Sequence, residues 1–360
     1  SGNTQEETQV AVLLLLAMLL LCRGRTTLGR EAFYVCTLFG LTIFVRSSAL
    51  PMVLPMYAAA VLRDVLQGEK EERISSILRW IIAGVLGTLP FVLLVCGHNY
   101  LRFEDIFDHG YDDAVYRRYG ISNLFGADPL PTLSAMLLSP GKGIIWYCPI
   151  LALLPLGIRA FYRKAPFASV LILCATLGNL LFHSFFTIWA GDLSWGARFQ
   201  ICVIPLLLLP LAEVFSKEYQ GIGKASIGAI LLLSGFVQFA SVAYSFNLEF
   251  WQNPRHGPVP DEYTWIPSES HLALRFRNIA LHVLGRPDLS VEQFDVENPH
   301  IDLVNRSEKQ LRGAHAVNFF PFKAKALMKN PGFLVRALFG IWTLLLLLCL
   351  ISWGLLYRRI

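Results

Sequence analysis

The sequence predicts an all-α polytopic membrane protein with about nine transmembrane helices, and three observations predict it. Of its 360 residues, 54% are hydrophobic and 16% charged, with a mean hydropathy of +0.50; soluble domains carry about 25% charged residues. Nine apolar segments stand out, at 10–22, 32–44, 50–62, 77–96, 144–158, 167–188, 199–215, 227–244 and 333–357. Every second connection between them is basic. Arg23, Arg25 and Arg30 lie in the first of these connections, then Arg63, Lys70 and Arg73, then Arg159, Arg163 and Lys164, then Lys217 and Lys224, with Arg358 and Arg359 at the end. Short basic loops stay in the cytoplasm, so nine spans put the N-terminus outside and the C-terminus inside.

The same numbers exclude other classes. Disorder needs low hydrophobicity and high net charge. The net charge of +5 is scattered along the chain, without the basic stripe that binds nucleic acid. Seven cysteines, Cys22, Cys36, Cys96, Cys148, Cys174, Cys202 and Cys349, lie in or beside apolar segments with no C-x-x-C spacing. They read as small hydrophobes between helices, not as a disulfide framework.

Taken in order, the first segment, 10–22, is short for a bilayer that needs about 20 residues. Either the polar residues 4–9 form its first turn or the chain, which starts at Ser1, lacks an upstream portion. Segments two and three meet in a tight turn at Arg46 to Ser48, and 97–140 is a long external loop after segment four. The expected division is a transmembrane core over 1–245, an external insertion over 246–330 and a final transmembrane helix over 331–360. The insertion holds ten basic and ten acidic residues, and long loops cross regardless of charge. Within it Ser268 is placed to cap a helix over 269–284 that Gly285 and Pro287 stop. Leu272, Phe276, Ile279, Ala280 and Val283 recur there at helical spacing, as suits a helix lying on the outer membrane surface or capping the bundle.

Polar groups are expensive beside a membrane and point to a site. Four clusters do so, all on the external side of this topology. The first is Arg46 with Ser47 and Ser48 before Leu50-Pro51: an arginine fork donates paired hydrogen bonds to phosphate oxygens, and an arginine can equally snorkel to headgroups. The second is His98-Asn99-Tyr100-Leu101-Arg102, followed by Glu104, Asp105, Asp108, His109, Asp112 and Asp113. Its carboxylates suit acid–base work or a hard divalent cation, for which Asp105 and Asp108 are weak candidates. A solvated acidic loop explains them as well. The third is Ser139-Pro140-Gly141-Lys142-Gly143 before Trp146 and Tyr147. A glycine turn opening a helix favours an anion, and Lys142 adds a charge, although the nucleotide P-loop spacing is absent. The fourth, from His183 to Arg198, holds Trp189, Gly191, Asp192, Trp195 and Gly196. Indole faces beside hydrogen-bonding groups suit sugar rings; the alternative is an aromatic belt with a structural Asp–Arg pair.

The segments Asn99-Tyr-Leu-Arg-Phe103, Leu138-Ser-Pro-Gly-Lys-Gly143 with Trp146-Tyr-Cys-Pro149, and Trp189-x-Gly-x-x-Ser-Trp-Gly-x-Arg198 occur in that order. Together they resemble bacterial multispan glycosyltransferases of the C superfamily, the polyprenyl-phosphate-sugar-dependent class related to protein mannosyltransferases and the aminoarabinose transferase. The break at Phe44-Val-Arg46 and Leu50-Pro51 is similar to that family's basic helix break. The resemblance covers roughly 32–215. It implies a location in the bacterial inner membrane and a sugar donor on a lipid phosphate. It also implies an acceptor, protein or glycolipid, attacking at the external face with inversion and a carboxylate as general base. By matching positions, Arg46, Lys142 and Arg198 would contact phosphate. Trp189, Asp192, Trp195 and His183 would line the sugar or acceptor pocket, with Asn99, Tyr100 and Arg102 at its entrance. In that family the acidic residue lies in the first external loop, between the first two helices. Here Glu6 and Glu7 precede the first segment without a helix before them, so the base is assigned to no residue. The expectation is therefore the C-terminal part of a longer enzyme, rather than a protein that has lost its catalytic module. A transporter or flippase for lipid-linked sugars and a non-catalytic membrane scaffold are the competing readings.

Overall fold

Helix α1 (Thr4–Cys22) opens the chain, so the polar residues from Thr4 to Gln9 do form its first turns. At 1.5 Å per residue its 19 residues reach about 28 Å. The computed structural model describes residues 4–23, 28–107, 124–191, 194–216, 223–244, 248–249 and 262–285, with scattered positions between 332 and 351. Those residues are helical or in turns, and no strand occurs among them. After α1 come α2 (Leu28–Val45), α3 (Leu50–Gln67), α4 (Arg73–Phe103), α5 (Pro129–Leu138), the single turn α6 (Ile144–Tyr147), α7 (Leu154–Lys164), α8 (Pro166–Ser184), the short α9 (Ile204–Leu208), α10 (Lys224–Ala243) and α11 (His271–Val283).

Among the described residues four helical stretches are long and apolar enough to cross a bilayer: Ser47–Gln67, Lys70–Phe103, Pro166–Ser184 and Ala225–Ala243. Leu54, Ile81, Leu93 and Leu173 on them are exposed, an apolar exterior that water would not tolerate over such an extent. Two segments expected as single spans are divided. Segment 144–158 becomes α6, a 3-10 stretch Pro149–Leu153, and α7; segment 199–215 becomes Arg198–Gln200, α9 and Leu209–Glu213. The physical cause is proline, which lacks a donor and clashes with the preceding turn: Pro149, Pro155, Pro205 and Pro210 each stand in the first two positions of a new element. The expected final helix is helical at Ile341 and Leu344, and most of 331–360 lies outside the described residues, as does 286–330.

The chain divides into two compact units, Ser1–Gly235 with Gly257–Ser270, and Phe236–His256 with His271–Ile360. In the first, α2 and α4 meet along glycines. A Cβ on Gly87 would press on the Cys36–Thr37 backbone and one on Gly40 on Thr88, while Thr88 Oγ1 donates to Cys36 O at 3.0 Å; small residues let membrane helices approach this closely. Gly178 of α8 likewise leaves room for the Pro51 carbonyl of α3. The core between these helices holds Val10, Leu14, Phe39, Met52, Met56, Leu171 and Leu206. At one end Arg63 donates to Leu21 O and to Asp64, and Asp64 accepts from Trp80 Nε1 at 3.0 Å, so α1, α3 and α4 are tied together there.

In the second unit α11 is held to the end of α10. Arg275, fully buried, donates to both carboxylate oxygens of buried Glu249 at 2.5 and 2.7 Å. Its Nη1 reaches Ala240 O at 2.8 Å, with Ser241 O and Tyr244 O at 3.3 Å, satisfying carbonyls that a helix C-terminus leaves open. Phe236 stacks on Phe276. The helix expected over 269–284 therefore exists, but it starts at His271 after a 3-10 turn Pro267–Glu269. Its buried face is His271, Arg275 and Asn278, while Ala280 and Val283 are exposed.

Candidate functional site

Chemistry concentrates where α1, the α2–α3 break and the turn after Ala197 converge. Helix α2 stops at Val45. Arg46 is extended, and a 3-10 turn Ser47–Ala49 leads into α3, whose second residue is Pro51. Arg46 Nε donates to Ser48 Oγ at 2.7 Å, which ties one edge of the guanidinium to its own turn. Arg46 Nη1 then donates to Glu7 Oε1 at 2.5 Å, and Arg198 Nε donates to the same oxygen at 2.6 Å. Glu7 is fully buried, with Arg46 and Arg198 11% and 20% exposed. A buried carboxylate is tolerated only when paired, and here two guanidiniums pair it.

The second Glu7 oxygen, Oε2, has no hydrogen-bond partner among the described residues. Arg46 Nη2 and Arg198 Nη1 and Nη2 have none among them either. The cluster thus presents three unspent cationic donors and one unspent carboxylate oxygen. An anion can use the donors, and a hydroxyl can donate to the oxygen.

Helix α8 positions the Arg198 turn. Asn179 Nδ2 donates to Phe199 O at 3.0 Å and to Gln200 Oε1 at 2.7 Å. His183 stacks on Phe199 with centroids 4.5 Å apart, and Arg46 lies over the same ring at 5.3 Å. His183 Nδ1 is 2.9 Å from Asn179 O. A carbonyl only accepts, so Nδ1 carries the proton. His183 Nε2 and Asn179 Oδ1 are buried and unpartnered among the described residues, two further acceptors beside the cluster.

Lys142 is 98% buried (2% exposed) and spends its ammonium on Ser194 O at 2.6 Å. Tyr147 OH donates to Gly141 O at 2.6 Å, and its ring meets Trp195 edge-on at 5.2 Å. Gly196, at φ +66°, lies where a Cβ would enter the Tyr147 ring, so this approach requires glycine. Lys142 therefore braces the loop before Arg198. Trp189 is buried among Met136, Phe186 and Ile188. Asn99 donates to Ile106 O at 3.2 Å. Tyr100 and Arg102 are exposed at the end of α4, Arg102 over its neighbour Phe103, and neither bonds to the Glu7 cluster. Asp105 accepts from Phe107 N in a local turn. Asp108 and Asp192 lie outside the described residues. Among the described residues no three His, Cys, Asp or Glu side chains gather as metal ligands.

Of the residues expected from the sequence, the structure brings Arg46, Arg198 and His183 together around Phe199. It sets Lys142 and Trp195 in the supporting loop and leaves Tyr100 and Arg102 apart. Sequence reasoning passed over Asn179 and Gln200 and gave Glu7 no role. The signal for Glu7 was an acidic residue in the first turns of an apolar helix. Comparison of the chain with protein-family models, with curated proteins and with solved structures finds no match.

Proposed function

We propose that this chain belongs to an integral-membrane glycosyltransferase that moves a sugar from a polyprenyl-phosphate donor to a hydroxyl acceptor at the external membrane face. One observation carries the reading: Glu7 gathers Arg46 and Arg198 on one oxygen, leaving three guanidinium nitrogens and one carboxylate oxygen without a partner among the described residues. A phosphodiester held by the free nitrogens leaves as a phosphate when its bond to the anomeric carbon breaks, and the guanidiniums stabilise the charge that develops. The acceptor oxygen forms the new bond to that carbon from the opposite side, with inversion, and its proton passes to Glu7 Oε2. His183 and Asn179 offer acceptors to sugar hydroxyls.

The reading keeps the nine-span topology, N-terminus outside, in a bacterial inner membrane. In support, Glu7, Arg46 and His183 lie at the helix ends opposite Arg63 and Lys164, and basic connections stay inside.

The test is turnover by the purified protein in proteoliposomes loaded with a polyprenyl-phosphate sugar. Acceptor-dependent release of polyprenyl phosphate is expected, falling roughly a hundredfold in Arg198→Ala, as when one preorganised charge-stabilising donor is removed. Unchanged turnover in folded Arg198→Ala removes the phosphate assignment. Donor that crosses the bilayer with its sugar still attached makes the protein a transporter.

A further inference from the structure

The arginine pair is not a bare cationic site. Both guanidiniums are turned onto one buried carboxylate oxygen, and among the described residues no other charged side chain bonds to Glu7, Arg46 or Arg198. Two guanidiniums against one carboxylate leave a single net positive charge, yet three nitrogen donors remain to meet an anion. Charge and donor count are thus set separately, the first by Glu7 and the second by the two arginines.

We propose that Glu7 sets the ligand charge this cluster accepts, matching a singly charged phosphodiester and discriminating against a doubly charged phosphomonoester. The inference rests on the glycosyl-transfer reading, in which the donor is a diester and the lipid product a monoester. The cost of stripping water from an ion rises with the square of its charge, while its attraction to fixed charges rises only linearly. With one net positive charge in the cluster, the second charge of a monoester costs more to desolvate than the site returns. Without Glu7 the net charge is two, and the balance tips toward the dianion. A phosphate on the same guanidiniums sits roughly 5–6 Å from the Glu7 carboxylate, one guanidinium width away. At that range, one extra negative charge is worth roughly a tenfold to a hundredfold change in affinity. The cluster thereby holds the donor, and once Glu7 has passed on the proton taken from the acceptor it again carries one net charge and loosens its grip on the lipid phosphate that remains.

The test uses the full chain in phosphatidylcholine nanodiscs at pH 8, where a phosphate monoester, with its second ionisation near pH ~6, is a dianion. The probes are farnesyl phosphate and farnesyl methyl phosphate, which share a chain and differ by one charge. Affinities are read by isothermal titration calorimetry. The wild type is expected to bind the diester at least as tightly as the monoester. Glu7→Gln is expected to shift the affinity ratio at least about tenfold toward the monoester, and Glu7→Asp, which keeps the charge, to hold the wild-type preference. A wild type that prefers the monoester tenfold or more overturns the proposal without recourse to any variant. So does a folded Glu7→Gln protein with an unchanged ratio. If neither probe binds the wild type, or Arg198→Ala binds both as well as the wild type does, the anion site itself falls and this inference with it.

Discussion

Replacing Arg275 with methionine keeps most of the side-chain volume and removes the donors that join α11 to the end of α10. In the wild type the guanidinium meets both Glu249 oxygens and reaches the carbonyls of Ala240, Ser241 and Tyr244. After the substitution the fully buried Glu249 carboxylate keeps Asn278 Nδ2, at 3.2 Å, as its hydrogen-bond donor. Removing one member of a buried ion pair costs about 3–5 kcal/mol, because the other charge stays out of water. The orphaned carbonyls push the figure toward the upper end. Exchanging both charges for apolar groups avoids most of that cost, so Arg275→Met with Glu249→Leu should be less damaging than the two single losses added. A coupling of about 2 kcal/mol or more is expected. The assay is equilibrium unfolding in mixed micelles, followed by circular dichroism for wild type, both singles and the double. A loss below about 1 kcal/mol for Arg275→Met, or simple additivity in the double, would refute the reasoning, since a buried charge without its partner cannot be that cheap.

Two further outcomes test the frame of the site. Lys142→Met removes a charged hydrogen bond to Ser194 O, worth about 1.5–3 kcal/mol. Amide hydrogen exchange over 194–198 should then quicken at least about tenfold while that of α8 stays unchanged; unaltered exchange would return Lys142 to direct phosphate contact. Cys22 is exposed at the α1 end that the proposed topology places inside. In a variant retaining Cys22 as its sole cysteine, a membrane-impermeant maleimide should label inverted vesicles and spare right-side-out ones, and the reverse pattern would invert the topology.

Which parts of this fold were legible follows from what each residue signals locally. Arg46 was visible because a charge between two apolar runs, with Pro51 close behind, marks a break in any context. Arg198 was visible through the tryptophans and glycines before it. Glu7 carried a weaker signal: it stands beside Glu6 in the polar first turns of an apolar helix, and its role comes from partners 39 and 191 residues away. The prolines at 149, 155, 205 and 210 were in plain sight, but hydropathy averaged over a segment hides a change of helix axis. Helix α11 shows the opposite difficulty. Its apolar residues recur at helical spacing, and so do His271, Arg275 and Asn278; only the buried Glu249 decides which face turns inward.

Helix α4 has 31 residues and reaches about 46 Å, against a hydrocarbon slab of about 30 Å. Its apolar stretch from Ile77 to Cys96 is enough to fill that slab, so the remainder overhangs. From Gly97 to Phe103 the overhang is about 10 Å of unbroken helix, ended by Glu104 in the left-handed conformation at φ 60°. His98, Asn99, Tyr100 and Arg102 consequently fan around a stiff post at headgroup height, each at a fixed angle to the slab. Anything arriving at that end of the helix meets the post in one orientation, and its backbone can be moved only by tilting the whole rod or by melting its last two turns.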